Sequence, residues 1–110
     1  MENPQSEKEL EIVAKAIEML KTVFDPEIPV NVYDLGLIYK IDYTEEDKTL
    51  HVEMTLTAPS CPAADFIVED VRQKLVSVKG PEKVDLRLVF VPAWNQDMMS
   101  EEAKLELGFL

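Results

Sequence analysis

The sequence predicts an α+β domain in which a small three-stranded mixed sheet carries helices on one face, in the order helix, strand, strand, helix, strand, helix. Two observations predict it. Apolar residues recur at helical spacing near the N-terminus and again after Pro62, and three stretches of two-residue alternation lie beyond or between them. Proline, glycine or a polar turn separates one period from the next.

Ser6-Glu7-Lys8-Glu9 fits a capping box, in which the first side chain and the last satisfy each other's backbone N–H groups. The apolar positions Leu10, Val13, Ile17 and Leu20, with Ile12, Ala16, Met19 and Val23, then cover about half of a helix surface. This predicts a first helix reaching Val23. Pro26 and Pro29 bias Asp25 and Ile28 away from helical angles, so Asp25 to Gly36 reads as an ordered loop with short turns. Leu37, Tyr39, Ile41 and Tyr43 alternate with Ile38, Lys40 and Asp42; after the polar turn Glu45-Glu46-Asp47-Lys48, Leu50, Val52, Met54 and Leu56 alternate again. The pair forms a hairpin. Pro62 suits the first turn of a second helix, carrying Ile67, Val68, Val71, Leu75 and Val78 and stopping near Gly80-Pro81. Val84, Leu86, Leu88 and Phe90 mark the third strand, which ends at Pro92-Ala93-Trp94; Met98 to Leu107, followed by Gly108, makes a short last helix.

A chain of 110 residues is expected to form one domain, residues 1–110, with no repeats or low-complexity tracts. Apolar residues make up 46% and charged residues 30%, the balance of a globular chain. The longest apolar runs are far too short to span a membrane, and Met1-Glu2-Asn3-Pro4 is not a signal-peptide start, so the expected location is the cytoplasm. The net charge is −11, from 22 acidic residues against 11 basic ones, with no local cluster of lysine or arginine. Phosphate binding needs such a cluster, which argues against nucleic acid as a partner.

Topology locates a site. Strand two, the second helix and strand three form a crossover, so those strands run parallel, while strand one runs antiparallel to strand two. The loop from Asp25 to Gly36, the turn from Thr57 to Pro62 and the segment Pro92 to Trp94 therefore emerge at one end of the sheet. Ligand sites favour the carboxyl ends of parallel strands. This end holds the lone cysteine, Cys61, together with Asp25, Glu27, Asp34, Thr57 and the lone tryptophan, Trp94.

A thiol just before a helix faces unpaired backbone N–H groups and the positive end of the macrodipole, which favour the thiolate. Burial as a small apolar filler is the competing role. His51, the only histidine, lies six residues before Thr57 on strand two, or ~20 Å away at about 3.3 Å per residue, which disfavours a Cys-His dyad. No glycine pattern cradles a nucleotide phosphate. An enzyme is therefore not expected. Asp25, Glu27 and Asp34 are candidates for oxygen ligands or for turn caps, with Glu27 also suited to plain exposure to solvent. Their charge opposes thiolate formation at Cys61 unless a metal is bound, and a thiolate suits iron–sulfur or zinc chemistry more than magnesium or calcium. Trp94 and the Met98-Met99 pair suit core or docking surface.

The run Asp25-Pro26-Glu27-Ile28-Pro29-Val30-Asn31-Val32-Tyr33-Asp34-Leu35-Gly36-Leu37-Ile38, followed by Met54-Thr55-Leu56-Thr57 and Ser60-Cys61-Pro62, resembles the SufT/PaaD family of small iron–sulfur cluster assembly factors. Val91-Pro92-Ala93-Trp94 and Ser100-Glu101-Glu102-Ala103 match its closing motif, so the resemblance spans roughly Ile12 to Gly108. It implies a role in maturing or delivering iron–sulfur clusters to client apo-proteins, with Cys61 as the reactive or cluster-linked thiol and Asp25, Glu27 and Asp34 as the matching acidic positions. It also implies a P-loop ATPase carrier of clusters as a partner. The cysteine-rich C-terminal extension of PaaD proper is missing, which points away from phenylacetate oxidation and toward the minimal free-standing form.

Iron–sulfur clusters are normally held by about four thiolates, and this chain has one. Three arrangements remain: a cluster shared across a homodimer with external thiols, a transient cluster contact at Cys61 with a partner, or an adaptor that docks carrier to client without binding a cluster. The transient contact is preferred, because a single thiol near an exposed edge suits ligand exchange.

Overall fold

The computed structural model describes residues 7–25, 28–57 and 64–108. Cys61 and Glu27 lie outside the described residues. The elements are α1 (Glu7–Leu20), β1 (Ile38–Thr44), β2 (Thr49–Met54), α2 (Ala64–Val76), β3 (Lys83–Leu88), a 3-10 turn at Gln96–Met98 and α3 (Glu101–Glu106). The order and the α+β class are those read from the sequence.

The sheet runs β1-β2-β3, with β1 antiparallel and β3 parallel to β2. Leu50, Val52 and Met54 of β2 are fully buried and meet Ile12, Ala16 and Leu20 of α1 with Ile67, Val71 and Leu75 of α2 in one core. Burial of such side chains is worth about 1.5–3 kcal/mol each, so this shared core is what fixes the strand order. The other face stays polar, with Lys40, Asp42, His51, Glu53, Asp85 and Arg87 around a shallow depression of about 350 Å³.

Four details depart from the sequence reading. The helix α1 ends at Leu20, where Thr22 donates its hydroxyl to the Met19 carbonyl at 2.6 Å; its buried stripe is Glu9, Ile12, Ala16 and Leu20, leaving Leu10 half exposed. Glu9 is buried because its carboxylate accepts the N–H of Glu45 at 2.8 Å, closing the end of β1. In β1 a bulge between Ile38 and Lys40 shifts the register, so Ile38, Ile41 and Tyr43 oppose Met54, Val52 and Leu50, and Tyr39 leaves the core-facing alternation. The predicted last helix divides: Met99 is extended, and Ser100 starts α3 anew by accepting the Ala103 N–H at 3.1 Å. Thr55, which shares the parity of the polar face, is completely buried. Among the described residues, no helix is long and apolar enough to cross a membrane.

Candidate functional site

Three chain segments brace one end of the sheet. Leaving α1, the chain forms a bridge between Phe24 and Asn31, and Val32 donates to the Val23 carbonyl at 2.8 Å. Asp25 is buried, and its carboxylate accepts the Ile28 N–H at 3.1 Å, the hydrogen bond of a turn cap. Asn31 and Asp34 lock to each other: Asp34 donates its N–H to the Asn31 side-chain oxygen, and the Asn31 amide donates to the Asp34 carboxylate, both at 2.8 Å. Strand pairing continues past the ends of the strands. Thr55 donates to the Leu37 carbonyl and Val89 to the Met54 carbonyl, each at 2.8 Å.

The segment after β3 folds back on this end. Trp94 donates its indole N–H to the Leu35 carbonyl at 2.6 Å, Ser100 donates its N–H to the Asp34 carbonyl at 2.8 Å, and the Tyr39 hydroxyl donates to the Pro92 carbonyl at 2.8 Å. Gly36 makes the contact possible. Its φ is +81°, and a Cβ there would run into the backbone carbonyl of Met98. Thr57 and Trp94, both predicted to edge the site, line one open depression of about 480 Å³ with Asn95, Gln96 and Asp97. Asn95 orders that rim by accepting the Asp97 N–H at 2.8 Å.

Asp25, Asp34, Thr57 and Trp94 thus belong to the same end of the molecule, with both aspartates engaged in turns. Among the described residues, no group of three or more histidine, cysteine, aspartate or glutamate side chains gathers at metal-holding distance. His51 stands on the polar sheet face with its Nδ1 3.3 Å from Asp85, away from the Trp94 depression. The Arg87 guanidinium, hydrogen-bonded to Asp85, holds that carboxyl below its ordinary range; partial burial works against the shift and His51 reinforces it.

Sequence reasoning missed Asn31, Tyr39 and Ser100 as bracing residues. The Asn-x-x-Asp spacing and the serine three residues before Ala103 carried the signal for two of them. Tyr39 had none, because only the bulge frees it.

Fold and site together define a small α+β scaffold that presents an open, tryptophan-edged surface at one braced end of its sheet. Residues 14–86 match the family model described as iron–sulfur cluster assembly protein. The chain is 67% identical to an Fe-S protein maturation auxiliary factor of Porphyromonas gingivalis, over 86% of this chain and 89% of that one. It is 36% identical to the auxiliary factor SufT of Staphylococcus aureus, over 78% of this chain and 97% of that one. The crystal structure of a domain of unknown function, DUF59, from Bacillus anthracis superposes with a TM-score of 0.84 at 32% identity, covering 94% of this chain and 97% of that one. The chain belongs to the iron–sulfur cluster assembly protein family.

Proposed function

We propose that this chain helps mature iron–sulfur proteins by holding a cluster, or the metal for one, briefly at Cys61 while it passes between a carrier and a client apo-protein. The maturation role rests on family membership and on the 67% identity to a maturation auxiliary factor. An assembly role without catalysis of its own fits that company. The cluster is cargo in this reading: one thiol is too few for the roughly four thiolates that hold a stable cluster, so partner ligands complete the set. Cys61 is four residues from Thr57 in the chain, and Thr57 lines the Trp94 depression, which supports that end as the place of contact. Asp25, Glu27 and Asp34 are proposed as secondary oxygen donors. An iron–sulfur carrier of the P-loop ATPase type is the proposed donor, the chain acts as one domain throughout, and the setting is the cytoplasm.

Anaerobic incubation with ferrous iron, sulfide and a small thiol, followed by iron counting and visible absorption, tests the reading on the native chain and on Cys61→Ala. Iron and sulfide absorption that depend on Cys61 are expected. Their absence, even with a loaded carrier present, removes the cluster-contact role. If Cys61→Ala also keeps carrier and client binding and full maturation activity, the chain is an adaptor.

A further inference from the structure

The core is unfinished along one edge of the sheet. In register, Leu50, Val52 and Met54 of β2 are fully buried, yet their β3 partners Val84 and Leu86 are only partly covered and Leu88 is 40% exposed. Phe90 and Val91 follow, 38% and 87% exposed. Among the described residues, β3 pairs only with β2. Which backbone groups face the open side follows from the bond between Val89 N–H and the Met54 carbonyl. In a parallel ladder alternate residues turn both polar groups to the same neighbour, so Asp85, Arg87 and Val89 face β2. Val84, Leu86 and Leu88 turn N–H and C=O outward.

We propose that this edge is an interface with a second copy of the chain, β3 against β3, antiparallel about a two-fold axis at Leu86. Hydrogen bonding requires outward-facing residues to oppose one another; axes at Asp85 and Leu86 each pair five of the six β3 residues, and those at Val84 and Arg87 only three. Charge selects among them. An axis at Asp85 sets Asp85 against its own copy and Lys83 against Arg87, and an axis at Arg87 sets two guanidinium groups together. The axis at Leu86 pairs Asp85 of each copy with Arg87 of the other, Val84 with Leu88, and Leu86 with itself. Opposite charges directly across an antiparallel pair stabilise it and like charges destabilise it. The Asp85–Arg87 pairs also fall at the positions without backbone hydrogen bonds, where side chains lie closer.

The charge order continues across the seam. Lys40, Glu53 and Arg87 form one register row of the polar face, and Asp42, His51 and Asp85 form the next. With the axis at Leu86, the first row of one copy runs on into the second row of the other as Lys40, Glu53, Arg87, Asp85, His51, Asp42. Its signs alternate throughout when His51 is protonated. The two Thr57–Trp94 depressions then lie at opposite ends of a six-stranded sheet. This dimer therefore does not bring the two depressions together, and it stands whether or not Cys61 contacts a cluster.

Each copy carries a net charge of −11, which opposes association at long range. Association is therefore expected to strengthen as salt rises from ~0.01 M to ~0.15 M, where the screening length falls from about 30 Å to about 8 Å. Sedimentation velocity over a concentration series at the higher salt tests the interface. The native chain is expected to dimerise. Asp85→Arg alone and Arg87→Asp alone each place like charges at both seam pairs and are expected to be monomers, whereas their equimolar mixture matches both pairs and restores a dimer. Leu86→Pro, which removes an N–H facing the open side, is expected to weaken association at least ~tenfold, with far-ultraviolet dichroism reporting the fold. A native chain that stays monomeric throughout overturns the proposal. So does a dimer indifferent to the single reversals, or a folded mixture that fails to reassociate.

Discussion

Gly36→Ala is the substitution with the most to say about the site. At φ +81° an L side chain costs about 1–2 kcal/mol, and that term is shared by Gly108, which has φ +82°. The two positions differ in space. A Cβ at Gly108 meets nothing within 4 Å, whereas one at Gly36 runs into the Met98 carbonyl, and backbone cannot rotate aside as a side chain can. Met98 is held by its N–H to the Asn95 carbonyl at 3.1 Å, and its neighbours by Met99 N–H to Gln96 at 3.1 Å and Ser100 N–H to Asp34 at 2.8 Å. Moving it forfeits one or two of these, about 0.5–1.5 kcal/mol each. The expected loss is about 1.5–5 kcal/mol for Gly36→Ala against about 1–2 kcal/mol for Gly108→Ala. Urea unfolding, followed by far-ultraviolet dichroism and by Trp94 fluorescence, reads both. A red shift of native-state Trp94 emission is expected for Gly36→Ala alone, because its indole is tied to the Leu35 carbonyl beside the glycine. Equal losses for the two variants, with unchanged emission, would refute the claim that Gly36 exists to let the closing segment dock.

Thr55 is fully buried and its hydroxyl has no hydrogen-bond partner among the described residues, so Thr55→Val is expected to raise stability by about 1 kcal/mol in urea titration; a loss would mean that the hydroxyl is satisfied. Asp85 is held below its ordinary range by Arg87, so the ionised form is favoured on folding and its contribution is present above about pH 4 and lost as pH falls through the lowered value. Asp85→Asn is therefore expected to flatten the acid limb of the stability profile below about pH 4, and an unchanged limb would show that the pairing stabilises nothing. Asp34→Asn keeps an oxygen for the Asn31 amide while removing the charge; unaltered stability with reduced iron retention during reconstitution is expected if Asp34 is an oxygen donor, and unaltered iron retention confines it to the turn.

The order of elements was legible because each change of hydrophobic period coincides with proline, glycine or a polar turn. So was the gathering of Asp25, Asp34, Thr57 and Trp94 at one end, since the hand and direction of a crossover follow from strand order alone. What escaped was set by contacts distant in sequence. The bulge that frees Tyr39 is visible only once Ile38 is seen opposite Met54, because local alternation is satisfied equally well by either face. The division of the last helix depends on Ser100 donating its N–H to Asp34, 66 residues away in the chain, and no helical period in Met98 to Leu107 encodes that bond. Leu10 fits the helical stripe as well as Ile12 does, but β1 approaches α1 from the side that Glu9 faces, and a carboxylate is buried in place of a leucine.

Bracing at the sheet end bears directly on the transfer role proposed for Cys61. Asp25 and Asp34 accept backbone and amide hydrogen bonds within their own loop, and Trp94 ties the closing segment to that loop. Each tie reduces the conformational freedom that a partner would otherwise have to quench on docking, a cost of about 1–2 kcal/mol for every residue ordered. A rigid surface can thus be recognised through shape and a modest area. Recognition then does not depend on a strong metal bond. That separation would suit the delivery proposed above: if Cys61 supplied most of the affinity, a cluster would be trapped, whereas a single thiolate used together with a preformed docking surface could be exchanged for a client's thiolates once the client is seated. In that proposal the braced frame, more than the thiol, would determine which partners receive cargo.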